Sequence, residues 1–96
     1  MEIMDDRMKF LLEQGAALLK DAGAQEVYVF GSVAAGRATE GSDVDLAVAG
    51  LPPERFFLVM ARLADLFDRT VDLVDLDDRT PFIAYLRRKG LLQRVA

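Results

Sequence analysis

Gly31-Ser32 is followed, after ten intervening residues, by Asp43-Val44-Asp45. The second group reads as part of a strand, where residues two apart share a face roughly 6–7 Å apart along the backbone. Two carboxylates aimed together into a partly closed site repel each other, and a divalent cation between them turns repulsion into attraction. Val44 and Leu46 would anchor that strand in the core and hold the pair on a rigid element. Gly31 ends a stretch of strand composition and Ser32 opens a helical turn. Such a turn offers backbone N–H groups and a hydroxyl to an anion, and the glycine lets a phosphate approach the backbone. A phosphate cradle beside a metal-binding carboxylate pair is equipment for phosphoryl or nucleotidyl transfer. Either half alone is commonplace, since Asp-x-Asp is ordinarily a solvated strand end and Gly-Ser an ordinary turn. Their combination at this spacing is far more specific.

Composition narrows the chemistry from the other side. The chain has 96 residues, 16 acidic and 12 basic, a formal net charge of −4, and neither histidine nor cysteine. A thiol nucleophile, a disulfide framework, an imidazole base and an ordinary zinc site are thereby excluded. What remains is carboxylates, Arg and Lys, hydroxyls and backbone amides, and carboxylates favour hard cations such as magnesium or manganese. The acidic balance argues against a broad nucleic-acid surface. No apolar run reaches the ~18 residues of a membrane span, and the acidic start, Met1 to Asp6, is unlike a secretory signal. A single intracellular domain over residues 1–96, cytoplasmic and without membrane attachment, is expected.

Several elements must position these groups. Residues 4–22 read as an amphipathic helix through Met4, Met8, Leu11, Leu12, Leu18 and Leu19, although Gly15 inside it costs about 1 kcal/mol against Ala. Residues 26–30 read as a buried strand, residues 33–36 as a short helical turn, and residues 37–42 as a polar loop. Residues 43–48 form a second strand, with Val44, Leu46 and Val48 on one face and Asp43, Asp45 and Ala47 on the other. A second long helix starts at Pro53 or Glu54, its stripe being Phe56, Met60, Leu63 and Phe67. Arg55, Arg62 and Arg69 along it read as a solvated face. Residues 70–76 are a third strand. Thr80-Pro81 reads as a cap and first position of a third helix over residues 81–89. Residues 91–95 form a short strand or an extended tail. The order predicts an α/β (α+β) layer pair, and the short link between the first two strands predicts a mixed sheet of three to four strands packed against helices.

The third strand carries two more carboxylates. Asp72, Val74 and Leu76 share one face and Val71, Leu73 and Asp75 the other, so a regular strand cannot aim both Asp72 and Asp75 at one site.

Phe30-Gly31-Ser32-Val33-Ala34-Ala35-Gly36 through Ser42-Asp43-Val44-Asp45-Leu46 closely resembles the signature of the polymerase-beta-like nucleotidyltransferases, and in particular their small minimal nucleotidyltransferase (MNT) members. The resemblance extends over nearly the whole chain. It implies that Gly31 and Ser32 contact nucleotide phosphates, that Asp43 and Asp45 ligate two divalent metals, Mg2+ or Mn2+, and that Asp72 is the third acidic ligand. One position departs from the pattern. Many relatives carry Arg where Ala35 stands, and Arg37, just past Gly36, offers a positive charge from a different backbone position.

The resemblance further implies transfer of AMP from ATP, or of another NTP's monophosphate, to a hydroxyl. A chain this short has no room for the acceptor-binding domains of larger relatives, so the acceptor is expected on a partner protein. Small family members commonly pair with a HEPN-domain toxin, and some adenylylate its tyrosine, which implies an antitoxin role. Two other readings stay open. One is an inactive antitoxin that masks its partner, and the other a nucleotidyltransferase acting on a small molecule or RNA end within a homo-oligomer.

Overall fold

A computed structural model describes residues 6–39 and 41–96. Residues 1–5 of the acidic start, including the helical position expected at Met4, lie outside the described residues. Helix α1 (Asp6–Asp21) buries Met8, Leu12, Gly15, Ala16 and Leu19, a spacing of three to four residues that keeps one face inward. It leads into strand β1 (Glu26–Phe30), the short helix α2 (Gly31–Ala34) and strand β2 (Val44–Ala49). A 3-10 turn (Pro53–Arg55) opens helix α3 (Phe56–Phe67), followed by strand β3 (Val71–Asp75), helix α4 (Pro81–Arg88) and the two-residue strand β4 (Gln93–Arg94).

The sheet order is β3-β2-β1-β4. Strand β2 runs antiparallel to β1 and parallel to β3, and β4 closes the far edge antiparallel to β1. The mixed sheet follows from the connections. Strands β1 and β2 are joined without a long crossover, whereas α3 carries the chain across so that β3 can run parallel to β2.

Alternation sorts the two faces. Val27, Val29, Val44, Leu46, Val48 and Val71 point to one side and form the main core with α1 and α3. The crossing of those helices explains Gly15. A Cβ there would lie 3.1 Å from Phe67 and 3.4 Å from Leu63, so the helix-propensity cost permits a close approach. On the other side Phe30, Ala47 and Leu76 pack under Ile83 and Leu86 of α4. The Thr80 hydroxyl accepts a hydrogen bond from the Ile83 N–H at 3.2 Å, with Pro81 at the first helical position, as the sequence predicts.

Two expectations shift. The inward stripe of α3 is Val59, Leu63 and Phe67, with Phe56 half-buried and Met60 exposed. The helix is apolar almost all round, so periodicity cannot fix its phase, and packing against Gly15 does. Phe57 faces outward, 91% exposed. Asp43 also lies one residue ahead of β2, at the end of the loop, rather than within the strand. No described helix is long and apolar enough to cross a membrane.

Candidate active site

The face of the sheet under α4 is only partly covered, and its uncovered end carries the acidic residues. The parallel register pairs Asp45 with Asp72, and the antiparallel register pairs Asp45 with Phe30, the residue before Gly31. Sequence alternation therefore becomes a row across three strands. Asp45 is half-buried, while Asp43 and Asp72 are exposed. Burial pushes the Asp45 carboxyl above its ordinary pKa, and the neighbouring Asp72 raises it further by charge and by a hydrogen bond. Asp43 adds its charge without a hydrogen bond.

Gly31 closes the site against the same carboxylate. Its φ of +73° is left-handed. A Cβ at this position would run into the Asp45 carboxylate. The glycine expected from phosphate access is thus required twice by the protein itself. Ser32, half-buried, sits in the first turn of α2, and its carbonyl accepts the Arg37 N–H at 2.9 Å. Ala35 ends that helix, its N–H donating to the Gly31 carbonyl at 3.0 Å. Gly31, Ser32, Ala35 and Arg37 border one open cleft of about 560 Å³, whose far wall comes from α4 and the chain after it.

Asp75 belongs elsewhere. It pairs with Val48 in the register, and its carboxylate accepts the Asp77 N–H at 2.9 Å, fixing the turn after β3. Of the two candidates on β3, Asp72 stands beside Asp45.

One residue of the site neighbourhood escaped the sequence reading. Arg69, taken there as part of a solvated face, is half-buried and donates from Nη1 to the carbonyls of Thr39 at 3.3 Å and Ser42 at 3.4 Å. The same loop is closed by the Thr39 N–H on Ser42 Oγ at 2.8 Å and the Ser42 N–H on the Thr39 carbonyl at 3.0 Å. Arg69 thus fastens the segment that delivers Asp43. Arg55 likewise departs from that reading, capping the end of α1 through the Ala22 carbonyl at 2.8 Å. Neither contact leaves a signal in helical periodicity, because both partners are backbone carbonyls distant in sequence.

Among the described residues no three acidic groups converge into a ready cage for a metal ion. The donor set nevertheless suits a hard divalent ion. All the side-chain donors are carboxylate oxygens, and the like charges crowding Asp45 are what such an ion relieves.

A sheet in the order β3-β2-β1-β4, with paired carboxylates at one end and a Gly-Ser turn against them, defines a nucleotidyltransferase fold. Residues 16–92 match the family described as Polymerase beta, Nucleotidyltransferase, and the chain belongs to that family. Among solved structures it resembles a minimal nucleotidyltransferase, at 28% identity and a TM-score of 0.75, covering 100% of this chain and 96% of that one. It also resembles a chain of a toxin–antitoxin complex with AMP-PNP, at 28% identity and a TM-score of 0.72, covering 88% of this chain and 72% of that one. A third likeness is to a complex of a tri-AMPylated Shewanella oneidensis HEPN toxin with its MNT antitoxin, at 26% identity and a TM-score of 0.67, covering 93% of this chain and 72% of that one. No curated protein matches the sequence.

Proposed function

We propose that this nucleotidyltransferase moves AMP from ATP to a tyrosine hydroxyl on a HEPN-domain partner, and so acts as the antitoxin of a toxin–antitoxin pair. The observation that carries the reading is the side-by-side placement of Asp45 and Asp72 on parallel strands, against Gly31 and flanked by Asp43. The resemblance to chains solved with AMP-PNP and with an AMPylated HEPN toxin supports the choice of nucleotide and acceptor.

Asp43, Asp45 and Asp72 would hold two magnesium or manganese ions, which would supply charge neutralisation at the α-phosphate and acidify the attacking hydroxyl. Gly31 and Ser32 receive the phosphates at the turn, with Arg37 contributing positive charge from the cleft wall. Asp72, the more exposed of the paired carboxylates, would accept the acceptor's proton. The acceptor oxygen forms a new ester bond to the α-phosphorus as the bond to the β-phosphate bridge breaks, and pyrophosphate leaves. Positioning and charge supply the rate, so the absence of histidine is no handicap.

Co-expression with the partner tests this directly, read by intact mass spectrometry of the partner. Wild type is expected to yield AMP adducts and Asp43→Asn none. An unmodified partner that still binds tightly would establish masking in place of catalysis. Modification undiminished in Asp43→Asn would overturn the metal-site assignment.

A further inference from the structure

Three large apolar side chains line the cleft that borders Gly31 and Ser32 while remaining largely open to solvent. Phe82 is 49% exposed, Tyr85 43% and Leu91 44%. Phe82 and Tyr85 are three residues apart on α4 and so share a face, next to the one that buries Ile83 and Leu86. Phe82 is fixed by an edge-to-face contact with Phe30, ring centres 6.0 Å apart. Arg37 is the one charged side chain among the described residues lining the cleft. The cleft therefore runs from a turn and a cation at one end to an aromatic wall at the other, where the Arg88 guanidinium lies 6.0 Å from the centre of the Tyr85 ring.

We infer that this aromatic wall is the nucleobase subsite, that Tyr85 supplies its stacking surface, and that the occupant is the purine of a nucleoside triphosphate. The inference rests on the reading that phosphates sit at Gly31 and Ser32. In a nucleoside triphosphate only a ribose separates the α-phosphate from the base, so the base must lie against a wall adjoining the turn. The other described clefts do not qualify. One, lined by Leu18, Leu58, Arg55 and Arg62, lies between α1 and α3 on the opposite face of the sheet from Asp45. Another, around Leu76, Arg79 and Arg87, contains no aromatic residue. The cleft at Gly31 has a volume of about 560 Å³, within the range of small-molecule sites. Its aromatic lining away from Arg37, with Phe30, Phe82 and Tyr85 together, suits the face of a planar base. A purine covers more of such a wall than a pyrimidine does.

Equilibrium binding of ATP, CTP and inorganic tripolyphosphate in magnesium buffer, to wild type, Tyr85→Phe and Tyr85→Ala, tests the assignment. Wild type is expected to bind ATP more tightly than CTP or tripolyphosphate. Tyr85→Phe keeps that order. Tyr85→Ala weakens ATP binding about tenfold or more, narrows the gap to CTP, and leaves tripolyphosphate unchanged. ATP bound by Tyr85→Ala as tightly as by wild type overturns the subsite while leaving the phosphate reading intact. The same holds if that variant binds ATP normally but loses the HEPN partner, which would make the wall a protein-docking surface. Failure of wild type to bind either ATP or tripolyphosphate overturns both readings.

Discussion

Replacing Asp45 with asparagine should make the isolated chain more stable while abolishing its activity. Burial, Asp72 and Asp43 together hold the Asp45 pKa above its ordinary value in the folded protein. Between the unfolded and folded pKa values the folded chain therefore binds more protons than the unfolded one. Stability is full below the ordinary value and falls as pH rises through the folded value. At pH 7 the ionised Asp45 stands beside Asp72 on an adjacent strand, with neighbouring strands about 5 Å apart. Two charges at that separation, with an effective dielectric constant between that of a protein surface and that of water, repel by about 1–3 kcal/mol. Each kcal/mol corresponds to roughly 4–8 °C in the melting temperature of a domain this size. Thermal melts of wild type and Asp45→Asn, in low salt with a chelator, should therefore show the variant several degrees higher at pH 7. The gain should vanish near pH 3, where the wild-type carboxyl is itself protonated. Magnesium should stabilise wild type and leave the variant unmoved. A variant that melts no higher at pH 7, or whose gain persists unchanged at pH 3, refutes the picture of crowded carboxylates.

The remaining predictions probe the parts that hold this group. Gly31→Ala adds a Cβ against the Asp45 carboxylate in left-handed backbone, and should lower stability by about 1–2 kcal/mol or more in denaturant titrations. Arg69→Gln should speed hydrogen exchange at the Ser42 amide and weaken manganese binding measured by calorimetry, with a smaller effect on the global melt. Thr80→Ala should cost about 1 kcal/mol through loss of the α4 cap, and Thr80→Ser should restore most of it.

The residues proposed for the chemistry stood out in the sequence because such chemistry constrains residue type and spacing, and the fold brings Gly31, Asp45 and Asp72 together. Strand alternation put Asp72 and Asp75 on opposite faces, the family resemblance favoured Asp72, and the parallel register sets Asp72 beside Asp45. The Thr80-Pro81 cap was equally legible, since capping is a local interaction. What escaped depends on contacts between distant segments. The phase of α3 is set by the Gly15 crossing and not by its own periodicity, because apolar residues occur on nearly every side. Arg69 acts on carbonyls 27 and 30 residues away, which no pattern along one helix records. The steric need for glycine at position 31 arises from a side chain on another strand. The exposure of the α4 aromatics Phe82 and Tyr85 beside the Gly31 turn likewise has no sequence signature, because it depends on how α4 packs over the sheet.

The central claim is that the carboxylate row directs nucleotidyl transfer onto a partner protein. Purified chain and HEPN partner incubated with magnesium and ATP radiolabelled at either the α- or the γ-phosphate test it most directly. Label from the α-position alone should remain on the partner, and Asp43→Asn, Asp45→Asn and Asp72→Asn should each abolish it. Label retained from the γ-position, or α-label transferred undiminished by all three variants, would contradict the account.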